Sequence, residues 1–150
     1  MTKRALILGF VLATIAAGCG GGHVASSSSS SLPGLDAKKV AKIEALVKSN
    51  ARADGDAQPS SAWVYASRRH EANIAAGAGS GVPGSQPVYL VVVQGRFVCS
   101  SCSGPPGHAP PRGSVMTFVL DRKTLSGLDF GIGGHVDTGA LGPGLRLSLG

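Results

Sequence analysis

Residues 88–98, reading Val-Tyr-Leu-Val-Val-Val-Gln-Gly-Arg-Phe-Val, most restrict how this chain can fold. β-Branched and aromatic side chains suit a pleated surface and lose rotamer freedom in a helix, so the run predicts a strand. Gly95 interrupts it, which predicts a bulge or a close backbone approach. Around this strand the pattern predicts a short strand at 63–67, a short helix at 69–76, and two strands at 115–121 and 125–132. The last two flank Arg122, Lys123 and Thr124, a spacing that suits a hairpin. Before them all, residues 35–50 carry Val40, Ile43, Leu46 and Val47 as one helical stripe, with Asp36 as N-cap. Lys38, Lys39, Lys42 and Lys48 face water on that helix, and Glu44 pairs with Lys48 one turn on. Residues 52–61 and 77–87, rich in Gly and Pro, are loops, and residues 141–149 form an edge segment or drape over the core. The expected class is α+β: an N-terminal helix packed on a small, mainly antiparallel sheet of three to four strands, loop-rich, with the other sheet face partly open.

The start of the chain predicts export. Lys3 and Arg4 precede an apolar segment at 5–17, followed by Ala16, Ala17, Gly18 and Cys19, an order that looks like a bacterial lipobox. The apolar segment is shorter than the roughly 20 residues needed to cross a hydrocarbon core. Residues 1–18 are therefore expected to be a lipoprotein signal peptide and Cys19 the lipidated first mature residue. Residues 19–34, with the serine run at 26–31, read as a Gly/Ser-rich flexible tether of roughly 20 Å r.m.s. span. Residues 35–150 then form one small domain. The expected location is the cell membrane, lipid-anchored on the extracytoplasmic side.

The formal net charge is +6, part of which leaves with Lys3 and Arg4. An excess this mild lacks the dense basic face with interleaved aromatics that nucleic-acid binding requires, so no nucleic-acid partner is expected. Attraction to anionic lipid headgroups or wall polymers, or a merely solvated surface, accounts for it better.

With Cys19 assigned to the lipid, Cys99 and Cys102 remain, in a compartment where disulfides persist. Their spacing is read as a structural disulfide that pins the loop between Cys99 and Arg112. Two other chemistries share the spacing: a thiol redox site, which wants a helix where Pro105, Pro106, Pro110 and Pro111 stand, and a zinc site completed by His108 and His135. The Gly79, Gly81 and Gly84 pattern lacks the flanking strand and helix of a dinucleotide fingerprint. His70-Glu71 is followed by Ile74 where a zinc protease has its second histidine. His70, Asp129 and Asp137 can be combined with many serines, and no nucleophile elbow selects among them. No cofactor is expected.

The run from Pro87 to Cys99, the later Pro105-Pro106-Gly107 and Asp129-Phe130-Gly131 resemble small exported proteins of high-GC actinobacteria. The resemblance implies export and a small α+β domain, and carries over no catalytic or binding residue. The chain is thus expected to be a lipid-anchored, non-catalytic domain that binds a cell-envelope protein, wall polymer or small ligand. Its surface would be the open sheet face or the loop after Cys99, with Trp63, Tyr65 and Arg68 as contacts. A lone tryptophan in a small domain is also a natural core residue. The alternative is a thiol redox or zinc-binding protein acting through Cys99 and Cys102.

Overall fold

The computed structural model describes residues 31–79, 81, 84–99, 102 and 107–150, so the signal peptide at 1–18, Cys19 and most of the tether lie outside the described residues. Five strands form one antiparallel sheet: β1 (Ser61–Arg68), β2 (Pro87–Val98), β3 (Arg112–Asp121), β4 (Gly127–Gly133) and β5 (Leu145–Arg146). Their spatial order is β4-β3-β2-β1-β5. Helix α1 (Ala37–Ala53) packs on one face and the short helix α2 (Arg69–Ala75) on the other. The α+β class is the expected one, with one strand more than expected because Leu145 and Arg146 pair with Val64 and Trp63.

Strand β2 dictates the layers. Val88, Tyr89, Leu90, Val91, Val92 and Val93 are all buried, although neighbours along a strand point to opposite faces. Tyr89, Val91 and Val93 join Ile43, Val47 and Ala51 of α1, while Val88, Leu90 and Val92 join Ala72 and Ala75 of α2. Each fully buried valine or leucine contributes about 1.5–3 kcal/mol, so neither face of this strand can be left to water.

Helix α1 starts where expected: Asp36 Oδ1 accepts the Lys39 N–H at 2.8 Å. It runs on to Ala53, past the expected end at Asn50, because Ala51 adds a third buried turn and Gly55, at φ 93°, ends it. Glu44, expected to pair with Lys48, instead accepts the Ser148 N–H at 2.8 Å and ties the C-terminal segment to the helix. Leu32 was expected to be tether, yet it is buried in the α1 core, so the folded unit starts before Leu35.

Gly95 sits at a bulge, as its place in the run implied. Gln94 pairs with Val115 and Phe97 with Gly113, so β2 spends one residue more than β3 there. The Arg96 N–H freed by the bulge donates to Asp56 Oδ2 at 2.8 Å. In the β3–β4 turn, Leu125 takes a left-handed φ of 61°, costly for a side chain with a Cβ, while packing on the α1 core.

Gly113 faces the backbone of Gly133, and a Cβ there would lie 2.7 Å from Gly133 N. Gly113→Ala should therefore destabilise the domain by about 1–3 kcal/mol in urea unfolding. Gly127→Ala, whose Cβ would meet nothing within 4 Å, should leave the midpoint nearly unchanged. Equal midpoints for the two variants would refute the close approach.

Candidate functional site

Helix α2 has only seven residues, about 10 Å of length against the roughly 40 Å of β2, and cannot cover its face of the sheet. Beyond it the face opens into a groove of about 430 Å³. Trp63 and Tyr65 of β1 point into it because residues two apart share a face. Val92 and Val115 form the floor, and Gln94, Ser114, His135 and Thr138 supply polar atoms around it. Gly144 lies flat on Tyr65: a Cβ there would sit 2.6 Å from the ring. Arg146 stands opposite Trp63 in the β1–β5 register, which puts it on the same face.

The expected contacts divide. Trp63 and Tyr65 are brought together, each half-buried, so Trp63 both packs and borders the groove. Arg68 is not with them: it is exposed at the far end of β1, donating from Nη1 to Ser85 O at 2.9 Å. Gln94 and Ser114 come beside Trp63 only through the register of β1, β2 and β3, Thr138 through the segment after β4, and Arg146 through a two-residue strand too short to leave a pattern, so none of them is marked in the sequence. His135 had been considered only as a zinc ligand.

A polar clamp fixes α2 against β4. Arg69 Nε and Nη2 donate to the two Asp129 oxygens at 2.9 and 3.0 Å. Asn73 Nδ2 adds a donor to Asp129 Oδ2 at 3.2 Å and another to Arg69 O at 2.9 Å. The Arg69 hydrogen bond, reinforced by Asn73, holds the Asp129 carboxyl below its ordinary range despite partial burial. Asp129 thus fastens α2 to β4 and is not available as a catalytic acid. Asp137 Oδ1 accepts the Gly139 N–H at 3.0 Å, and Glu71 Oε2 accepts from Ser67 and Arg68. Asp129 and Asp137, the two acids considered with His70, are each held by structural hydrogen bonds.

A second carboxylate organises the β3–β4 turn. Asp121 Oδ1 accepts from the Thr124 N–H, the Thr124 hydroxyl and the Lys123 N–H, and Gln86 Nε2 donates to Oδ2 at 2.7 Å. The Thr124 backbone bond, then the Gln86 and Thr124 side chains, pull its pKa down to about 2. On the α1 face, burial raises the Tyr89 phenol, whose hydroxyl donates to Pro33 O at 2.8 Å.

Cys99, buried at the end of β2, and exposed Cys102 stand at disulfide distance, their Cα atoms 5.4 Å apart. The described part of the following loop, residues 107–111, contains no helix. His108 and His135 are both exposed, and among the described residues no three His, Cys, Asp or Glu side chains gather where they could hold a metal ion. No helix among the described residues is long and apolar enough to cross a membrane. No protein-family model, curated protein or solved structure matches this chain, so the reading of its site rests on its own residues.

Both lowered carboxylates imply acid sensitivity of one sign. A depressed pKa stabilises the fold above the ordinary aspartate value, and for Asp121 that contribution disappears as pH falls to about 2. The thermal midpoint should drop over that acid range, and Asp121→Asn should be less stable at pH 7 and show a shallower acid loss. An unchanged acid slope in the variant would show that the turn is not its source. Asp129→Asn should speed amide exchange throughout α2 while leaving α1 protection intact.

Proposed function

We propose that this chain is an exported, lipid-anchored binding domain whose ligand occupies the Trp63–Tyr65 groove, with no chemistry performed on it. The observation that carries this reading is the groove itself. It sets two half-exposed aromatic rings beside an apolar floor and a few amide, hydroxyl and imidazole groups. The exposed lining of this groove is more polar than apolar, which suits a ligand that itself carries many hydrogen-bonding groups, and its volume falls within the range of small-ligand sites. Aromatic rings offer flat apolar area while the rim supplies hydrogen bonds, which matches a sugar unit of a wall polymer, with its apolar ring face and equatorial hydroxyls. Two other grooves are less suited. One of about 340 Å³ between α1 and β4 is walled by Leu46, Phe118 and Phe130, and one of about 430 Å³ lies beside Arg96 and Arg112.

The address comes from Cys19, which would carry the lipid once residues 1–18 are removed. In that compartment Cys99 and Cys102 form a disulfide that closes the base of the loop leading into β3. The alternative, a thiol redox or zinc protein, draws on that cysteine pair alone.

Trp63 is the only tryptophan, so its emission reports the groove directly. Titration with soluble wall-glycan fragments should change it saturably, and Tyr65→Ala should weaken binding about tenfold, in line with the value of an aromatic contact. No saturable change with glycan fragments would refute the polymer reading. Separately, Cys19→Ser should abolish lipidation and release the protein from neutral membranes or block its processing, and the intact mass should show two hydrogens fewer at Cys99 and Cys102 than the reduced chain.

A further inference from the structure

The end of the sheet remote from the groove gathers the basic residues. Arg122 donates its N–H to Pro87 O at 3.2 Å, and Pro87 pairs with Arg68, which joins the ends of three strands. Lys39 Nζ bridges Gly34 O at 2.8 Å and Arg122 O at 2.9 Å, which adds the start of α1 and the segment entering it. The Arg122 guanidinium lies 5.6 Å from the Tyr89 ring centroid, and the Tyr89 hydroxyl holds Pro33 O. Lys38 and Lys123 are exposed around this centre, and Lys42 follows one helical turn on. Six cations therefore share one pole: Lys38, Lys39, Lys42, Arg68, Arg122 and Lys123. The carboxylates facing them are Asp36, Asp121 and Glu71, and each is already hydrogen-bonded to local backbone N–H groups.

Helix stability does not account for this charge. The first turn of α1 holds no acidic residue, and Lys38 and Lys39 stand at the positive end of the helix dipole, where cations are disfavoured. The pole is also where the chain enters the domain: Leu32 is buried, Pro33 and Gly34 touch Tyr89 and Arg122, and the thirty preceding residues join at this point.

We infer that this basic pole is a docking surface for an anionic lipid bilayer. Each Lys or Arg near such a surface is worth about fivefold in partition, so the excess of cations here gives on the order of 100-fold preference for charged over neutral lipid. Contact at this pole turns the groove outward: Pro87 and Val93 are separated by roughly 20 Å along β2. The surface belongs to the folded domain and does not depend on the lipid at Cys19.

The test compares partition of the full chain into vesicles of phosphatidylcholine alone and vesicles containing about 30 mol% phosphatidylglycerol at about 0.1 M salt, where the screening length is about 10 Å. A lipid or an apolar leader acts in both vesicle types and cancels in the ratio, so the outcome is separable from the anchor and groove readings. Lys38→Gln with Lys123→Gln should lower the ratio by about 25-fold. Lys48→Gln with Arg52→Gln removes the same charge farther along α1, beyond a screening length, and should change the ratio by about twofold or less. All four side chains are exposed, and unchanged melting midpoints would confirm intact folds. Equal losses in the two double variants, or no preference for the charged vesicles, would overturn the proposal. So would polyglutamate binding with the same variant pattern and no vesicle preference, which would assign the pole to a soluble anionic polymer.

Discussion

Everything in this domain follows from β2 being buried on both faces. A strand in an antiparallel sheet commonly keeps one side wet, and its sequence then alternates. Six consecutive buried residues from Val88 to Val93 forbid that arrangement, so two covering layers are obligatory. Helix α1 supplies the first with seventeen residues, and α2 supplies the second with seven. The mismatch between these lengths is the origin of the groove. What α2 leaves bare is partly covered by Val136 and Leu141 from the segment after β4, and the space between the two covers is lined by Trp63 and Tyr65.

A seven-residue helix cannot hold itself, since isolated helices need about 12–15 residues even with favourable sequences. Its position is set by three side chains, Arg69, Asn73 and Asp129, which satisfy one another across the α2–β4 gap. The interaction is part-buried, and an exposed ion pair of this kind would add little stability. Its value lies in direction: two parallel hydrogen bonds from a planar guanidinium define the angle at which α2 meets the sheet. The Asp121 network does the same for the β3–β4 turn, where four donors converge on one carboxylate and allow Leu125 its left-handed backbone. Of the two, Asp129 was a candidate acid in the sequence, and its hydrogen bonds to Arg69 and Asn73 give it a structural role.

Much of the fold was legible because its signals are local. The Val88–Val98 run, the bulge at Gly95, the N-cap at Asp36 and the hairpin around Arg122 to Thr124 each depend on residues close together in sequence. What escaped depends on distant partners. Leu32 looks like the end of a tether until Ile43 and Tyr89 are placed beside it, and Glu44 finds Ser148 across the domain instead of Lys48 one turn away. β5 has two residues, below any periodicity that could announce it. The groove was legible only in part: the i, i+2 spacing of Trp63 and Tyr65 put both on one face, but Gln94 and Ser114 join them only through the register of three strands. Arg68 was grouped with that pair by proximity in sequence, although its odd offset from Trp63 already set it on the other side.

The two proposals constrain each other through the direction of β2. Strands β1, β2 and β3 share one axis, with the basic residues at the Arg68, Pro87 and Asp121 end and the groove toward the Ser61, Gln94 and Val115 end. A flexible tether of this length would by itself let the domain turn freely, so the groove would face lipid and wall alike. Attraction at one pole would remove that freedom without any new covalent link, because a hundredfold preference leaves the wrong orientations rarely populated. On this proposal the cations at the start of α1 would have a docking role that offsets their cost to the helix. A binding face kept away from the bilayer gains effective concentration toward an extended polymer beyond it, which the same domain free in solution would lack.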